Sequence, residues 1–130
     1  TFLYRNPDFQ LTDTQPWVTL HLYRNVQPIR EVDMRMMLRW TVPVERGNAA
    51  IKDGSLAQTL KALMEQVKPE AAYFWPDGGE RAGMIVFDMA ETSDIPKIAE
   101  QLFQNIDAAV EFTPVMNMDE LQKGLEGAGG

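Results

Sequence analysis

The stretch MRMMLRWTVP, residues 34–43, decides the fold that we expect for this chain. Its residues alternate in character with a period of two, which is typical of a β-strand that has a covered face and a less covered face. The two faces are formed by Met36, Leu38, Trp40 and Val42 on one side and by Arg35, Met37, Arg39 and Thr41 on the other. Pro43 cannot donate a backbone hydrogen bond, so we expect the strand to end there.

A helix is predicted next, after a looser turn over residues 48–53 that breaks at Gly54. Ser55 and Gln58 have the spacing of a capping box, which begins a helix by satisfying its first free N–H groups. The helix is expected to stop at residues 68–69, where a proline follows a lysine. Its apolar stripe consists of Leu56, Leu60, Leu63, Met64 and Val67.

A hairpin is predicted from the aromatic segment AAYFWP, residues 71–76, and the following DGG, residues 77–79. Consecutive glycines adopt the positive φ angles that a tight hairpin turn requires. The returning strand is predicted over residues 83–89, where the segment MIVF is apolar on both sides.

A second helix and a last strand complete the pattern. Thr92 or Ser93 is expected to cap the helix, with Pro96 in its first turn. Its apolar stripe is formed by Ile95, Ile98, Ala99, Leu102, Phe103 and Ile106. The last strand is predicted over residues 109–116, and Pro114 favours an edge position for it.

The two ends of the chain are interpreted separately from this central region. Asn117 and Glu120 have capping-box spacing for a short terminal helix, and residues 127–130 are interpreted as a tail. Residues 1–33 are interpreted as an ordered N-terminal extension with one edge strand, at residues 17–23.

The order strand, helix, strand, strand, helix, strand predicts an α+β, ferredoxin-like domain over residues 34–126. Its sheet is antiparallel and both helices lie on one face, so the other face is left bare. Met37, Ile85 and Phe87, or their alternates in the strands, are expected on that bare face. An apolar bare face favours a partner, and the simplest partner is a second copy related by a two-fold axis.

Composition excludes several classes of partner. The chain has a formal net charge of −7, which repels nucleic-acid phosphates and anionic membrane surfaces. It has no cysteine and a single histidine, His21, so thiolate chemistry and multi-histidine metal sites are not expected. No apolar run has the length of a membrane span, and no secretory signal is evident. We therefore expect a cytoplasmic protein without a metal or cofactor.

Four segments resemble a bacterial domain of unknown function in the dimeric α/β-barrel superfamily. They are MRMMLRWTVP, the strand ending in WPDGG, MIVFDMAE and EFTPVMNMDE, within residues 34–125. The resemblance implies a homodimer whose two sheets close into a shared barrel, and it implies no particular activity. The wider superfamily includes cofactor-free monooxygenases, haem-degrading enzymes and stress proteins, so the fold points to several functions.

Charged and aromatic residues near the central strand are the candidate ligand-binding groups. Arg35 and Arg39 share a face of the first strand. The usual strand order places that strand between the third and the fourth, so Asp88 and Glu111 are within their reach. An arginine beside a carboxylate can bind a small anionic or carbonyl ligand, and it can equally form a structural ion pair. The aromatic residues Trp40, Tyr73, Phe74 and Trp75, on what we take to be neighbouring strands, can line a pocket or pack in the core.

Three functions are compatible with these residues. The first is a homodimeric small-molecule-binding protein whose ligand is apolar or anionic. Its predicted ligand-binding residues are Arg39, Trp40, Tyr73, Trp75, Asp88 and Glu111. The second is a cofactor-independent oxygenase or isomerase that acts on a hydrophobic carbonyl compound and uses a buried carboxylate, such as Asp88 or Glu111, as the base. The third is a structural or regulatory dimer, and no catalytic residue is identified for any of them.

Overall fold

The computed structural model describes residues 33–129, which form a four-stranded antiparallel sheet and four helices. The strands are β1 (Met34–Val42), β2 (Ala71–Asp77), β3 (Glu80–Met89) and β4 (Ala109–Pro114). The helices are α1 (Val44–Asp53), α2 (Ser55–Val67), α3 (Asp94–Ile106) and α4 (Met118–Ala128). This α+β arrangement is consistent with a ferredoxin-like fold. The predicted strand at residues 17–23 and His21 lie outside the described residues.

The strand order is β2-β3-β1-β4, so β1 lies between the third and fourth strands as predicted. The register places Arg35 opposite Asp88 on β3 and Arg39 opposite Glu111 on β4. β4 is an edge strand, in agreement with Pro114 near its end.

The core lies between one face of this sheet and the helices. β1 contributes Leu38 and Trp40, which are 0% and 3% exposed. The remaining core members include Met36, Val42, Ala50, Leu63, Ile85, Phe87, Ile98, Leu102 and Ile106. Burial of each large apolar side chain contributes about 1.5–3 kcal/mol. Within residues 33–129, the helices leave one face of the sheet uncovered, as predicted. Of the residues expected there, Met37 lies on the uncovered face, whereas Ile85 and Phe87 lie on the covered one. Their strand neighbours Met84 and Val86 take the uncovered positions.

Helix α1 occupies the segment that was predicted as a loose turn, and this prediction was wrong. Gly47 and Asn48 have low helix propensity, but Gly47 and Ala50 are buried against the rest of the fold. Packing of this side of the helix outweighs the weak local preference. Gly54, with φ of 82°, ends α1 in the left-handed conformation that glycine adopts easily.

Helix α2 begins at Ser55 as expected, but the predicted capping box is absent. Gly54 occupies the N-cap position, so Ser55 is the first helical residue and cannot cap the helix. The Ser55 backbone N–H donates instead to Asp53 Oδ1 at 2.8 Å. The aspartate therefore takes the role that the sequence pattern assigned to the serine and Gln58.

The hairpin and the second predicted helix are confirmed in position. Gly78 and Gly79 form the turn between β2 and β3, with φ angles of 60° and 84°. Ser93 precedes α3, although its side chain makes no cap hydrogen bond. Four residues of the α3 stripe are buried, whereas Phe103 is 40% exposed at its margin.

The terminal helix has the predicted capping box. Asn117 Oδ1 accepts the Glu120 backbone N–H, and the Glu120 carboxylate accepts the Asn117 backbone N–H. The helix reaches Ala128, so the predicted tail from residue 127 starts too early. No helix within residues 33–129 combines the length and apolar character needed to cross a bilayer.

We expect Gly83→Ala to lower the free energy of unfolding by about 1–3 kcal/mol, because overpacked cores strain their neighbours. A Cβ at this position would overlap the Trp40 indole and lie 3.0 Å from Phe74 Cδ1. Urea unfolding measures the change. Gly124→Ala on α4 is the control, since its Cβ would meet nothing within 4 Å. Equal stability of the two variants would show that the indole moves aside freely.

Candidate functional site

We call the sheet face that the described helices leave uncovered the open face. Strand alternation and register assign to it, among other side chains, Arg35, Met37, Arg39, Tyr73, Trp75, Asp77, Met84, Val86, Asp88, Glu111 and Thr113. All of them are half-buried or exposed. The open face therefore holds five of the six predicted ligand-binding residues, and Trp40 is the exception.

Arg39 connects the centre of the open face to the edge strand β2. Its guanidinium carbon lies 5.7 Å from the centre of the Trp75 ring, within the range of a cation–π contact. Its Nη2 lies 3.5 Å from Asp77 Oδ2. The predicted alternative partner, Glu111, is opposite in register but forms no ion pair with Arg39. Both side chains of the Arg39–Asp77 pair are nearly half exposed, so the pair contributes little to stability.

Arg35 links Glu70, the residue before β2, to Glu120 in the first turn of α4. Its Nε donates to Glu70 Oε1 at 2.7 Å, and its Nη1 donates to Glu120 Oε1. The hydrogen bond to Glu70 raises the pKa of Arg35 above its usual value. Asp88, the predicted partner of Arg35, lies opposite it in register and adds a weaker attraction. The two hydrogen bonds of Arg35 therefore have a structural role, because they connect β1 to the segment before β2 and to α4.

Trp40 and Phe74 lie on the covered face and not beside Tyr73 and Trp75. Their rings meet edge to face, with centroids 6.1 Å apart. The two strands that carry them are not neighbours, because β3 runs between β1 and β2. Gly83 of β3 is opposite both residues, and its missing side chain lets the rings meet above it. The predicted aromatic cluster is thus divided between the two faces.

A cleft of about 560 Å³ opens where the β2–β3 hairpin meets α1 and α2, and we call it the hairpin cleft. Its walls are formed by Trp40, Val42, Val44, Leu56, Leu60, Phe74, Trp75, Pro76, Gly79, Glu80, Arg81 and Ala82. Phe74 faces the helices and yet is 57% exposed. The helices do not reach over this end of the edge strand, and the uncovered space is the cleft.

Arg81 is the basic residue of the hairpin cleft. Its Nη2 donates to Asn48 Oδ1 at 3.0 Å. Its Nη1 lies against Gly47, where a Cβ would be only 2.7 Å from that nitrogen. Within residues 33–129, Arg81 forms no ion pair with a carboxylate. The guanidinium is therefore positioned by uncharged groups.

Sequence reasoning missed most of the hairpin cleft, although one signal was present. Arg81 has the strand phase of Gly83, Ile85 and Phe87, which face the core. A charged residue in an apolar phase is unusual and indicates a place where the helices leave a gap. Nothing in the sequence indicated that Leu56 and Leu60 line a cleft, because an apolar stripe on a helix is typical of residues buried in the core.

The two carboxylates considered as catalytic bases lie apart from the hairpin cleft. Asp88 borders a cavity of about 180 Å³ beside α3, and Glu111 borders one of about 80 Å³ next to Arg39. Both residues are exposed, so neither is the buried carboxylate that the oxygenase or isomerase hypothesis requires. Among residues 33–129, no group of three or more histidine or acidic side chains is arranged to hold a metal ion.

Comparison with known families assigns the region that contains both the open face and the hairpin cleft. Residues 34–129 match the model of the family described as "Domain of unknown function (DUF3303)". The chain belongs to this family. No curated protein and no solved structure matches the chain.

The DUF3303 domain also contains a polar cleft of about 300 Å³ between helices α1, α2 and α3. Arg46 crosses it and donates to the Asn105 backbone carbonyl at 2.5 Å. Asp53 lies at its margin, and hydrogen bonding from Ser55 lowers the pKa of the Asp53 carboxyl below its usual value. The hydrogen bond from Arg46 joins α1 to the end of α3, and the one between Ser55 and Asp53 joins the end of α1 to the start of α2.

We expect Asp53→Asn to destabilise the DUF3303 domain near neutral pH and not in strong acid. A lowered folded pKa stabilises the protein above the unfolded pKa, and the effect is lost as the pH falls through the folded pKa. Urea unfolding of both proteins at about pH 7 and about pH 2 measures the difference. A difference of equal size at the two pH values would contradict this role for the carboxylate.

Proposed function

We propose that the protein is a homodimeric small-molecule-binding protein of the dimeric α/β-barrel type. The observation that carries the proposal is the hairpin cleft, whose volume of about 560 Å³ is typical of small-molecule sites. Its walls are largely apolar and aromatic, with Glu80 and Arg81 as charged groups. This combination suits an apolar ligand that carries one polar end.

The exposed aromatic surface in the cleft supports binding rather than a purely structural role. Phe74 is 57% exposed, and the adjacent Leu56 and Leu60 are only half-buried. A ligand that covers these side chains removes apolar surface from water, which stabilises the complex by about 25 cal/mol for each Å². The rigid strands on one side give a preformed wall, so little ordering accompanies binding.

The open face supports association with a second copy. Met37, Met84 and Val86 are half-buried at its centre, where water is in contact with apolar surface. The face carries both signs of charge, including Arg39 and Glu111 on adjacent strands. A two-fold axis can place the arginine of each copy near the glutamate of the other, so the face is complementary to itself.

Helix α4 supports the same association. Its apolar residues Met118, Leu121 and Leu125 are spaced by three and four positions, so they form one stripe. They are 73%, 38% and 61% exposed. Arg35 holds the start of this helix beside the open face. The stripe is thus positioned to extend an interface formed by that face.

The predicted residues of the open face enter the proposal as the lining of the space between two copies. Arg39, Tyr73, Trp75, Asp88 and Glu111 would face this space, with Trp40 on the other side of the sheet. No observation favours the oxygenase or isomerase, since both of its candidate bases are exposed in the single chain. The absence of cysteine suits a cytoplasmic location.

Binding at the hairpin cleft predicts saturable chemical-shift changes on titration of the full chain with 4-phenylbutyramide, a neutral apolar probe. The changes should include the methyl groups of Leu56 and Leu60 and spare those of Leu121 on α4. Leu60→Trp should abolish them, because the indole fills the cleft. Ile51→Trp, on the exposed side of α1, is the matched control. Undiminished binding to Leu60→Trp would exclude the cleft as the site.

Pairing through the open face predicts a dimer in sedimentation equilibrium of the full chain. Met84→Glu should convert it to a monomer, because the substitution places a charge at the centre of an apolar contact. Ile51→Glu carries the same charge on a helix surface away from the sheet and should stay dimeric. If the wild-type chain sediments as a monomer at high concentration, the pairing is refuted. This holds also if residues 1–32 prove to cover the open face.

A further inference from the structure

We propose that the hairpin cleft selects a small apolar carboxylic acid and that Arg81 binds its carboxylate. This inference rests on the proposed binding function and adds the chemical class of the ligand. The residues that carry it are Arg81 and the two residues of α1 that hold its guanidinium, Gly47 and Asn48.

The charge of Arg81 is not neutralised by an acidic side chain of residues 33–129. Each of the other two arginines in the described strands has a carboxylate partner, Glu70 for Arg35 and Asp77 for Arg39. A guanidinium has five N–H donors in a planar fork, and the one side-chain hydrogen bond of Arg81 in this part of the chain goes to a neutral amide. The guanidinium of Arg81 therefore has further N–H groups that can donate to the carboxylate of a ligand.

The position of Arg81 favours binding to a charged group over a purely structural role. Gly47 is buried, and its lack of a Cβ gives the guanidinium room beside α1. Asn48 fixes the guanidinium from one side, which reduces the ordering needed when a ligand binds. A held planar fork is well suited to bidentate binding of a carboxylate.

Glu80 is the acidic residue that lines the same cleft, and a negative charge close to Arg81 opposes the binding of an anion. Adjacent residues of a strand direct their side chains to opposite faces of the sheet. Arg81 has the phase of the covered face, so Glu80 has the phase of the open face. Glu80 and Arg81 therefore have opposite phases in β3, and no ion pair joins their two side chains.

The remaining walls define the rest of the ligand. Trp40, Phe74, Leu56 and Leu60 provide aromatic and aliphatic surface without a further charged group. A volume of about 560 Å³ accommodates a ring with a short alkyl chain. The chain as a whole has a net charge of −7, so the preference for an acid must come from the local positive charge of Arg81.

Titrations of the full chain with 4-phenylbutyrate and 4-phenylbutyramide, followed by NMR chemical shifts, test this inference. The two probes differ in charge and have nearly the same shape. We expect the acid to bind about tenfold to a hundredfold more tightly, the range for hydrogen bonds to charged groups. Arg81→Gln should remove most of this preference by weakening the acid alone, and Arg81→Lys should keep part of it.

Arg46→Gln is the matched control, because it removes an equal charge from α1 at a residue that does not line the hairpin cleft. It should leave the preference for the acid unchanged. Equal affinity of the wild-type chain for the two probes, or a preference that survives Arg81→Gln, would overturn the assignment of Arg81 while leaving the cleft as a binding site. Failure of both probes to bind would overturn the proposed function and this inference together.

Discussion

The central position of β1 is the constraint on which the rest of the structure depends. Its backbone is paired with β3 on one side and with β4 on the other, so each side chain is fixed to one face of the sheet. Leu38 and Trp40 are therefore directed into the helices, and Arg35 and Arg39 away from them. A shift of one residue in register would exchange the two sets and bury the arginines.

The sheet supplies both candidate surfaces because its covered face is covered unevenly. Helices α1, α2 and α3 pack over the centre, where Leu38, Ile85 and Leu102 are fully buried. They do not extend over Phe74 at the edge strand. The hairpin cleft occupies that gap, and the Trp40 indole forms part of its wall because Gly83 leaves room above β3. Binding surface and core are thus continuous, and they share Trp40.

The three arginines of the sheet occupy chemically different environments. Arg35 bonds two glutamates and joins the segment before β2 to α4. Arg39 lies near the Trp75 ring and Asp77 in a half-exposed position, where solvent weakens the attraction. Arg81 is held by an amide beside an apolar cleft. Residue type alone does not distinguish them, and the neighbours that each one meets decide its role.

Local patterns in the sequence predicted the four strands and three of the four helices. Period-two alternation identified β1, the two glycines identified the hairpin, and Asn117 with Glu120 identified the start of α4. Helix α1 was missed because its residues favour a helix only when Gly47 and Ala50 are packed against the fold. The Ser55 cap failed for a related reason, since α1 ends immediately before α2 and supplies Asp53 as the acceptor.

The sequence by itself determined which residues of each strand share a face, because side-chain alternation is a property of the extended backbone. It therefore placed Arg35 and Arg39 on one face of β1, opposite Leu38 and Trp40. Only the tertiary structure decided that Trp40 and Trp75 lie on opposite faces of the sheet, and that Arg81 meets α1 beside an uncovered cleft. Those neighbours come from distant parts of the chain, and their meeting depends on how far each helix extends over the sheet.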